Sequence, residues 1–301
     1  QQVVERQHID EGGILDQGQP VVRLLPVLLQ GKGAGAVGDR VAHLHAAFAD
    51  PSVDAVLTVI GGFNSNELLP HLDFDLIAQN PKILCGYSDI TALQNAITAL
   101  TGVVTYSGPH WSTFGMRELG EQTSEWFCQT LMSDDPVVVR PGSWFTEDPW
   151  FLNQDHRTRL ETDGWWVLNP GRAEGRVVGG NLCTFNLLQG TRFMPSLAGT
   201  VLFVEDDALS SLVEFRRHLH SLMQVPGAEE IRGLVIGRFE RASRVEREDL
   251  ELLIGGIDSL TGKPVVANVD FGHTNTLMTF PIGGYVQVEA AEPPSLVFTL
   301  H

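Results

Sequence analysis

Two continuous apolar runs, each leading into glycine, constrain the fold more than any other feature of the sequence. Residues 53–62 read VDAVLTVIGG, and residues 82–89 read KILCGYSD. A strand with one solvated face alternates apolar and polar residues, whereas a strand covered on both faces is apolar throughout. Both runs therefore predict buried strands of a parallel sheet.

Helix-like segments flank these strands. Residues 39–50 and 90–102 repeat apolar side chains at helical spacing, and the second segment stops at Gly102. A third strand candidate, VVTYSGP, follows at 103–109. Because strand and helix alternate at short intervals, the sequence predicts an α/β fold built from βαβ units.

The chain is long enough for two domains, and its pattern changes half-way. Residues 117–175 hold five of the six tryptophans and show little periodicity, which we interpret as a crossover with long loops. Strand-like runs resume at 200–207, 232–240 and 264–272 and predict a second α/β or β-rich domain. The predicted boundaries are 1–125, 126–176 (the Trp-rich crossover and substrate loop) and 177–301.

Composition excludes several functional classes. A formal net charge of −17 opposes binding to a phosphate backbone, so no nucleic-acid partner is expected, although a small nucleotide in a pocket is compatible with it. The three cysteines lie far apart without C-x-x-C spacing, which indicates structural thiols in a reducing compartment. No apolar run reaches the length of a membrane span and no signal segment opens the chain, so we expect a cytoplasmic protein without a membrane partner.

Ser88, in the sequence GYSD, sits between a buried strand and a helix. On such a turn the hydroxyl is exposed, and the amide of Asp89 points to where an oxyanion would form. The alternative is a serine that caps the helix. The stretch also lacks the second glycine of the G-x-S-x-G elbow, so ordinary α/β-hydrolases fit poorly.

A nucleophilic serine needs a base, and two of the ten histidines follow predicted strands. His273 ends an apolar run and enters a polar loop, where catalytic bases are commonly found; a packed structural histidine is the alternative. His110, in SGPHW, either lines the site or caps its loop. The pairs His43/His45 and His218/His220 are spaced i, i+2 on predicted helices, so their side chains diverge and a shared metal is not expected.

An acid and a glycine pair complete the pattern. Glu205 is the first acid after the apolar run 201–204 and could orient a histidine, or could instead complement a helix dipole. Gly61 and Gly62 follow another strand and offer either a second oxyanion amide or a tight turn. Because sites in open α/β sheets lie at the carboxyl ends of strands, these positions together favour a serine hydrolase.

Four segments carry a resemblance to a known family. They are IGGFNSNELLPHLDFDLIAQNPKILCGYSDITALQNAI, GRAEGRVVGGNLCTFNLLQGT, LFVED and FGHTNTLMTFPIGG. Over about residues 39–301 they resemble the LD-carboxypeptidase family of serine peptidases, and most of all its branch of microcin C immunity proteins. Residues 1–38 depart from the family pattern, because they show no strand that leads to a Pro-Ser-rich loop.

The resemblance implies a Ser-His-Glu triad of Ser88, His273 and Glu205, with the amides of Gly62 and Asp89 as the oxyanion hole. It also implies an N-terminal Rossmann-like parallel-sheet domain and a smaller β-rich α/β C-terminal domain. A homodimer with its sites at the domain junctions is expected, with no metal and no cofactor.

The choice of branch depends on the tryptophan loop. Trp144 and Trp150 lie six residues apart, as in the immunity proteins, where a loop tryptophan stacks on adenine. Stacking on a base contributes about 1–3 kcal/mol, which is enough to define a substrate class. The alternative is that both rings are core or interface anchors. Asn181, in GGNL, resembles a substrate-contacting position, with a turn asparagine as the alternative.

These features predict a serine hydrolase that cleaves an amide bond in peptidyl- or aminoacyl-nucleotide compounds of the microcin C type. One alternative is removal of a terminal D-amino acid from murein tetrapeptide, so that the substrate is a muropeptide. An alternative of another class is a two-domain protein that binds a ligand without chemistry. Only the hydrolase requires Ser88, His273 and Glu205 to converge.

Overall fold

The computed structural model describes residues 35–301, which form two main β-sheets with helices packed between and around them. In this part of the chain the α-helices are α1 (Val37–Ala49), α2 (Phe74–Gln79), α3 (Thr91–Thr101), α4 (Glu121–Leu131), α5 (Leu182–Asn186), α6 (Leu212–Leu222) and α7 (Arg247–Gly255). Short 3-10 helices that border the site are Ser65–His71, Ser88–Ile90 and Trp111–Gly115.

The strands follow the predicted order in the first and last thirds of the chain. They are β1 (Ala55–Leu57), β2 (Ile83–Gly86), β3 (Thr105–Ser107), β4 (Val137–Val139), β5 (Trp144–Phe145), β6 (Leu160–Glu161), β7 (Trp166–Asn169), β8 (Gly171–Asn181), β9 (Thr200–Glu205), β10 (Gly233–Arg238), β11 (Val265–Gly272), β12 (Phe280–Ile282), β13 (Tyr285–Ala290) and β14 (Ser295–Leu300).

The small sheet has the order β1-β2-β3-β12. Its first three strands are parallel, and β12 runs antiparallel to β3. The carboxyl ends of parallel strands share one edge of a sheet, so the loops after β1, β2 and β3 emerge side by side. These loops contain Gly61, Ser88 and His110.

The large sheet has the order β4-β14-β13-β8-β9-β10-β11-β7, with β8 to β11 parallel. Its register pairs Asn181 with Glu205, and Arg238 with Gly272, at the carboxyl ends of these strands. His273 follows directly after β11. Glu205 and His273 therefore leave this sheet along the same edge.

The parallel strands β9, β10 and β11 of the large sheet are buried on both faces, which explains their long apolar runs. In β9, Leu202 and Val204 pack into a cluster with the helices, whereas Val201 and Phe203 point to the opposite face. There Phe203 packs against the rings of Phe271, Phe280 and Phe298. Successive residues of a strand point to opposite faces, and in β9 both faces are covered by apolar clusters. No position is left for a solvated side chain.

The predicted α/β class with parallel-strand sheets is confirmed. Residues 117–175 contain more regular structure than the crossover with long loops that we predicted, because they form α4 and most of β4 to β8. Most of these strands are two to four residues long, too short for a periodic signal. The predicted domain boundaries stay a prediction.

The departure from the family pattern at residues 1–38 falls almost wholly outside the described residues, which begin just before α1. Within residues 35–301, no helix is both long and apolar enough to span a membrane.

Candidate active site

Ser88 lies on a sharp turn between β2 and α3. Its φ angle is +62°, in the left-handed region that a residue with a Cβ rarely adopts. Neither the 3-10 helix Ser88–Ile90 nor α3 has a side-chain cap, so the alternative of a capping serine is not what the structure shows. The hydroxyl on this strained turn instead contacts His273.

Three polar side chains from separate elements meet at this turn. The Ser88 Oγ lies 3.2 Å from His273 Nε2, and His273 Nδ1 lies 2.8 Å from the Oε2 of Glu205. Since the carboxylate can only accept, Nδ1 carries the proton that it receives, and in neutral His273 Nε2 is free to accept from the serine hydroxyl. The arrangement can withdraw a proton from Ser88 and stabilise the resulting imidazolium.

Two glycines let Glu205 approach His273. A Cβ added to Gly272 would lie 3.0 Å from the Oε2 of Glu205, and a Cβ added to Gly237 would lie 2.7 Å from the Cβ of Glu205. Gly272 also has a φ angle of +117°, which strongly favours glycine. Glu205 is only 3% exposed, so its carboxylate acts on His273 with little screening by water.

The electrostatics of His273 are dominated by opposing effects. Burial disfavours the charged imidazolium, but the Glu205 carboxylate, with additional contributions from Asp207 and Glu240, raises the pKa of His273 to about 9. His273 is therefore largely protonated near neutral pH and becomes a base as the pH rises.

A second imidazole, that of His110, also lies near Ser88, since both side chains face Gly61. His110 is 3% exposed, and its Nδ1 lies 2.7 Å from the Thr58 hydroxyl. Its ring stacks on Tyr87 at 4.2 Å between centroids, and Tyr87 also meets His273 edge-on at 5.4 Å. Burial, together with the nearby His273, lowers the pKa of His110 to about 3, so His110 is neutral.

The loop after β1 faces Ser88 through a glycine. A Cβ added to Gly61 would lie 2.9 Å from the Cβ and 3.1 Å from the Oγ of Ser88, and 3.4 Å from His110 Nε2. Asp89 holds this loop, because its Oδ2 accepts from the amides of Asn64 at 3.1 Å and Ser65 at 2.9 Å. Gly62, predicted to supply an oxyanion amide, lies within the loop that is anchored in this way.

Asn181 lies near the triad but is engaged in local contacts. Its Oδ1 accepts from the amide of Thr184 at 3.0 Å and caps α5, while its Nδ2 donates to Asp206 at 3.3 Å. Asp206 is buried next to Glu205, and burial followed by the charge of Glu205 raises its pKa to about 7. A contact between Asn181 and a substrate stays a prediction.

Trp144 and Trp150 lie on what we call the Trp hairpin, residues 142–165, in which β5 pairs with β6. Within the hairpin, the guanidinium of Arg159 lies 4.6 Å from the ring centroid of Trp144, and the rings of Trp150 and Phe151 are 6.0 Å apart. The ring of Trp150 also lies close to Gly115, where an added Cβ would be 3.9 Å from its Cζ3. The hairpin reaches the triad through the backbone, since Thr146 forms a β-bridge with Asn275, two residues beyond His273. The structure thus places both tryptophans on an element tied to the His273 loop rather than on the triad itself.

Two protein-family models match this chain. Residues 15–108 match the LD-carboxypeptidase N-terminal domain, and residues 174–288 match the LD-carboxypeptidase C-terminal domain. The chain belongs to the LD-carboxypeptidase family. It is therefore a serine peptidase, as the sequence motifs predicted, and its two matched regions supply Ser88 on one side and Glu205 and His273 on the other.

Relatives of this LD-carboxypeptidase family member fall into several named groups. The Bacillus subtilis (strain 168) protein YocD, which carries the name of a carboxypeptidase, is 47% identical over 88% of this chain and 82% of its own length. The microcin C7 self-immunity protein MccF of Escherichia coli is 33% identical over 83% of this chain and 75% of its own. A murein tetrapeptide carboxypeptidase of Pseudomonas aeruginosa is 27% identical over 83% of this chain and 77% of its own.

Solved structures show the same fold. The crystal structure of an MccF-like protein from Bacillus anthracis (strain Ames) superposes with a TM-score of 0.88, at 43% identity over 90% of this chain and 84% of that chain. MccF in complex with glutamyl sulfamoyl guanosine superposes with a TM-score of 0.78, at 28% identity over 89% of this chain and 82% of that chain.

Several residues that shape the site were not predicted from the sequence. Tyr87 lies inside the GYSD motif and packs against both histidines, but an aromatic next to a nucleophile carries no distinctive signal in one sequence. Thr58 contacts His110 across 52 residues, which no local pattern indicates. The sequence also does not show that Gly61, rather than Gly62, faces Ser88, because this depends on the register of β1 against β2.

Proposed function

We propose that this protein is a serine hydrolase that cleaves the amide bond of aminoacyl- or peptidyl-nucleotide compounds of the microcin C type with a triad of Ser88, His273 and Glu205. The observation that carries the proposal is the continuous hydrogen-bonded relay from the Ser88 hydroxyl through His273 to Glu205. A protein that only binds a ligand has no need for this relay or for the strained backbone at Ser88.

In the proposed reaction the Ser88 Oγ attacks the scissile carbonyl while its proton passes to His273 Nε2. Glu205 accepts the Nδ1 hydrogen bond and stabilises the imidazolium. The amides of Gly62 and Asp89 hold the oxyanion, and His273 then protonates the leaving nitrogen. Water, activated by the same imidazole, hydrolyses the acyl-enzyme and restores Ser88.

Substrate contacts are assigned to residues around this centre. Trp144 and Trp150 on the Trp hairpin are proposed to hold the nucleobase, with His110 and Asn181 closer to the acyl group. The preference for nucleotide compounds is supported by the likeness to MccF, which has been solved with aminoacyl sulfamoyl nucleosides. We also propose that the protein is a homodimer.

The second candidate substrate is murein tetrapeptide, from which a terminal D-amino acid would be removed. It is favoured by the family relationship to a murein tetrapeptide carboxypeptidase. The triad chemistry would be the same for both substrates, so only the groups around the reacting bond distinguish them.

The test is incubation of the purified protein with an aminoacyl-sulfamoyl-adenosine and, separately, with murein tetrapeptide. We expect cleavage of the nucleotide compound and a loss of at least about a thousandfold in kcat for Ser88→Ala. Ser196→Ala, an exposed serine outside the site, is the matched control and should retain full activity. Cleavage of murein tetrapeptide alone would replace the first substrate by the second, and undiminished cleavage by Ser88→Ala would refute the triad.

A further inference from the structure

A fully buried carboxylate that the proposed chemistry does not use lies close to the site. Asp270, in β11, is 0% exposed, accepts three hydrogen bonds and forms an ion pair with Arg238. Its Oδ1 lies 2.7 Å from the guanidinium of Arg238 and 3.2 Å from the hydroxyl of Thr276. Its Oδ2 accepts from the indole of Trp165 at 2.8 Å and from the amide of Gly142 at 2.9 Å.

These four partners come from three segments: β10, the loop that begins with His273, and the Trp hairpin. Thr276 belongs to residues 273–279, the loop that begins with His273, so its hydrogen bond fixes that loop to β11. Gly142 and Trp165 are the two ends of the Trp hairpin. One carboxylate thus holds the loop of the proposed base and both ends of the element that carries Trp144 and Trp150.

Arg238 extends the same connection. Its Nε donates to the Oδ1 of Asn268 at 3.1 Å, and its guanidinium lies 4.7 Å from the ring centroid of Phe145, next to Trp144. Asn268 in turn donates to the carbonyl of Gly164, near the far end of the hairpin, at 2.7 Å. The ion pair therefore contacts the hairpin at its base and along one strand.

A buried ion pair is a poor device for stability alone. The desolvation of both charges offsets most of their attraction, and well-packed apolar residues of similar volume often serve equally well or better. The carboxylate of the pair does, however, fix the direction of each group that donates a hydrogen bond to it. Apolar packing cannot fix directions in this way. The pair lies between the hairpin and the His273 loop, two segments whose relative position the proposed reaction depends on.

We propose that Asp270 and Arg238 are positioning residues that hold the Trp hairpin and the His273 loop as one unit. A nucleobase bound by the hairpin would then bring the scissile bond into register with Ser88 and His273. This inference rests on the proposed function for its consequence in catalysis, whereas the coupling between the two segments is independent of any substrate.

The first test needs no substrate. Trp165→Phe and Thr276→Val each remove one hydrogen bond to Asp270 and retain most of the side-chain volume. We expect each variant to raise amide hydrogen exchange in both segments, 142–165 and 273–279, because both depend on the same carboxylate. Faster exchange only in the substituted segment, or in neither, would overturn the proposal.

Matched controls are available in the neighbouring residues. Trp166→Phe removes an indole that donates to Asp163 at 3.0 Å, and Thr274→Val removes a buried hydroxyl that has no hydrogen-bond partner within the described residues. Neither variant should change exchange in the distant segment. An equal response in the controls would contradict a specific role for Asp270.

The second test uses steady-state kinetics with aminoacyl-sulfamoyl-adenosine. Because each variant loosens both segments, Trp165→Phe and Thr276→Val should each raise KM and lower kcat, by about tenfold in each parameter. Loss of folded protein alone would lower the apparent kcat of both variants and leave KM unchanged. If wild-type protein cleaves the compound but both variants match their controls, the positioning role fails and the proposed function stands.

A paired substitution separates positioning from stability. Asp270→Asn leaves Arg238 buried without its partner and is expected to reduce the folded fraction. Asp270→Asn combined with Arg238→Met removes both charges and should recover the free energy of unfolding while kcat/KM stays at least about tenfold below wild type. Recovery of kcat/KM together with stability would show that the pair has no positioning role.

Discussion

At the scale of single residues, the site depends on one strained backbone position and one charged contact. Ser88 adopts a φ angle of +62°, and its neighbours are arranged around that conformation. His273 lies between the Ser88 hydroxyl and the Glu205 carboxylate, at 3.2 Å and 2.8 Å. The rate of the proposed reaction should therefore depend on pH through the protonation state of His273.

The pH dependence of hydrolysis should report that state. Because the pKa of His273 is raised to about 9, the neutral base is a minor species at pH 7 and its fraction grows roughly tenfold per pH unit. We expect kcat/KM for aminoacyl-sulfamoyl-adenosine to rise from pH 6 and level off near pH 9. In Glu205→Gln the apparent pKa should fall toward the ordinary value for histidine, with a lower plateau. A rate that is independent of pH between 6 and 9 would contradict His273 as the base.

At the scale of elements, the loop after β1 is held in place from the Ser88 turn. The carboxylate of Asp89 accepts from the amides of Asn64 and Ser65, and the Oγ of Ser65 donates to the Asp89 carbonyl at 2.5 Å. The two loops that would form the oxyanion hole are therefore one hydrogen-bonded unit. Asp89 thus has a second role besides its proposed backbone contribution.

Asp89→Ala should separate these roles, since alanine retains the backbone amide and removes the anchor. We expect faster amide exchange at residues 61–66, a kcat lower by about tenfold, and a loss of about 1–3 kcal/mol in the free energy of unfolding. Asp73→Ala is the control, because Asp73 also accepts from a helical amide, that of Leu76 at 2.9 Å, but caps α2. It should cost about 1 kcal/mol and leave kcat unchanged. Equal effects on kcat in both variants would argue against the anchor.

At the scale of the whole molecule, the site exists only where two sheets meet. Ser88 comes from the small sheet and both Glu205 and His273 come from the large sheet. The chain joins the sheets a second time, since β12 returns from the C-terminal part to pair with β3. Folding of both parts is thus required before the three side chains can interact.

The contact between Glu205 and His273 forms only in the folded protein, so the free energy of unfolding should depend on pH. His273 has a pKa of about 9 in the folded state, above its ordinary value, so its contribution to stability is complete below about pH 6.5 and is lost as the pH rises through 9. We expect the free energy of unfolding, from urea denaturation, to fall between pH 6.5 and 9 by at most about 1.4 kcal/mol per pH unit from this group. The decrease should be smaller in His273→Gln than in the wild type. In the control variant His156→Gln, which replaces an exposed histidine, it should equal that of the wild type. Parallel profiles for wild type and His273→Gln would contradict the assigned pKa.

His110 should act in the opposite direction at low pH. Its pKa is lowered to about 3 because burial disfavours the charged ring, so below about pH 6.5 only the unfolded chain takes up this proton. The contribution of His110 to stability is therefore lost as the pH falls from 6.5 toward 3. The two histidines beside Ser88 thus have opposite effects on stability, in separate pH ranges.

Local patterns determined much of this protein from the sequence. The continuous apolar runs predicted β1, β2 and three of the parallel strands of the large sheet, β9, β10 and β11, because residue type and periodicity record burial on each face. The strand-to-helix position singled out Ser88, and the carboxyl ends of strands singled out Glu205 and His273. The short strands of residues 117–175 escaped prediction because two to four residues hold no period.

Tertiary structure alone decided which of these residues meet. Ser88 and His273 are 185 residues apart, and their contact depends on the register of two sheets rather than on any local preference. The same is true of Asp270, which looks like an ordinary acid in the sequence. It gains its three hydrogen bonds and its ion pair only when β10, the His273 loop and the Trp hairpin pack around it. Hydrophobic periodicity specifies the elements, whereas packing between distant elements specifies the geometry of the site.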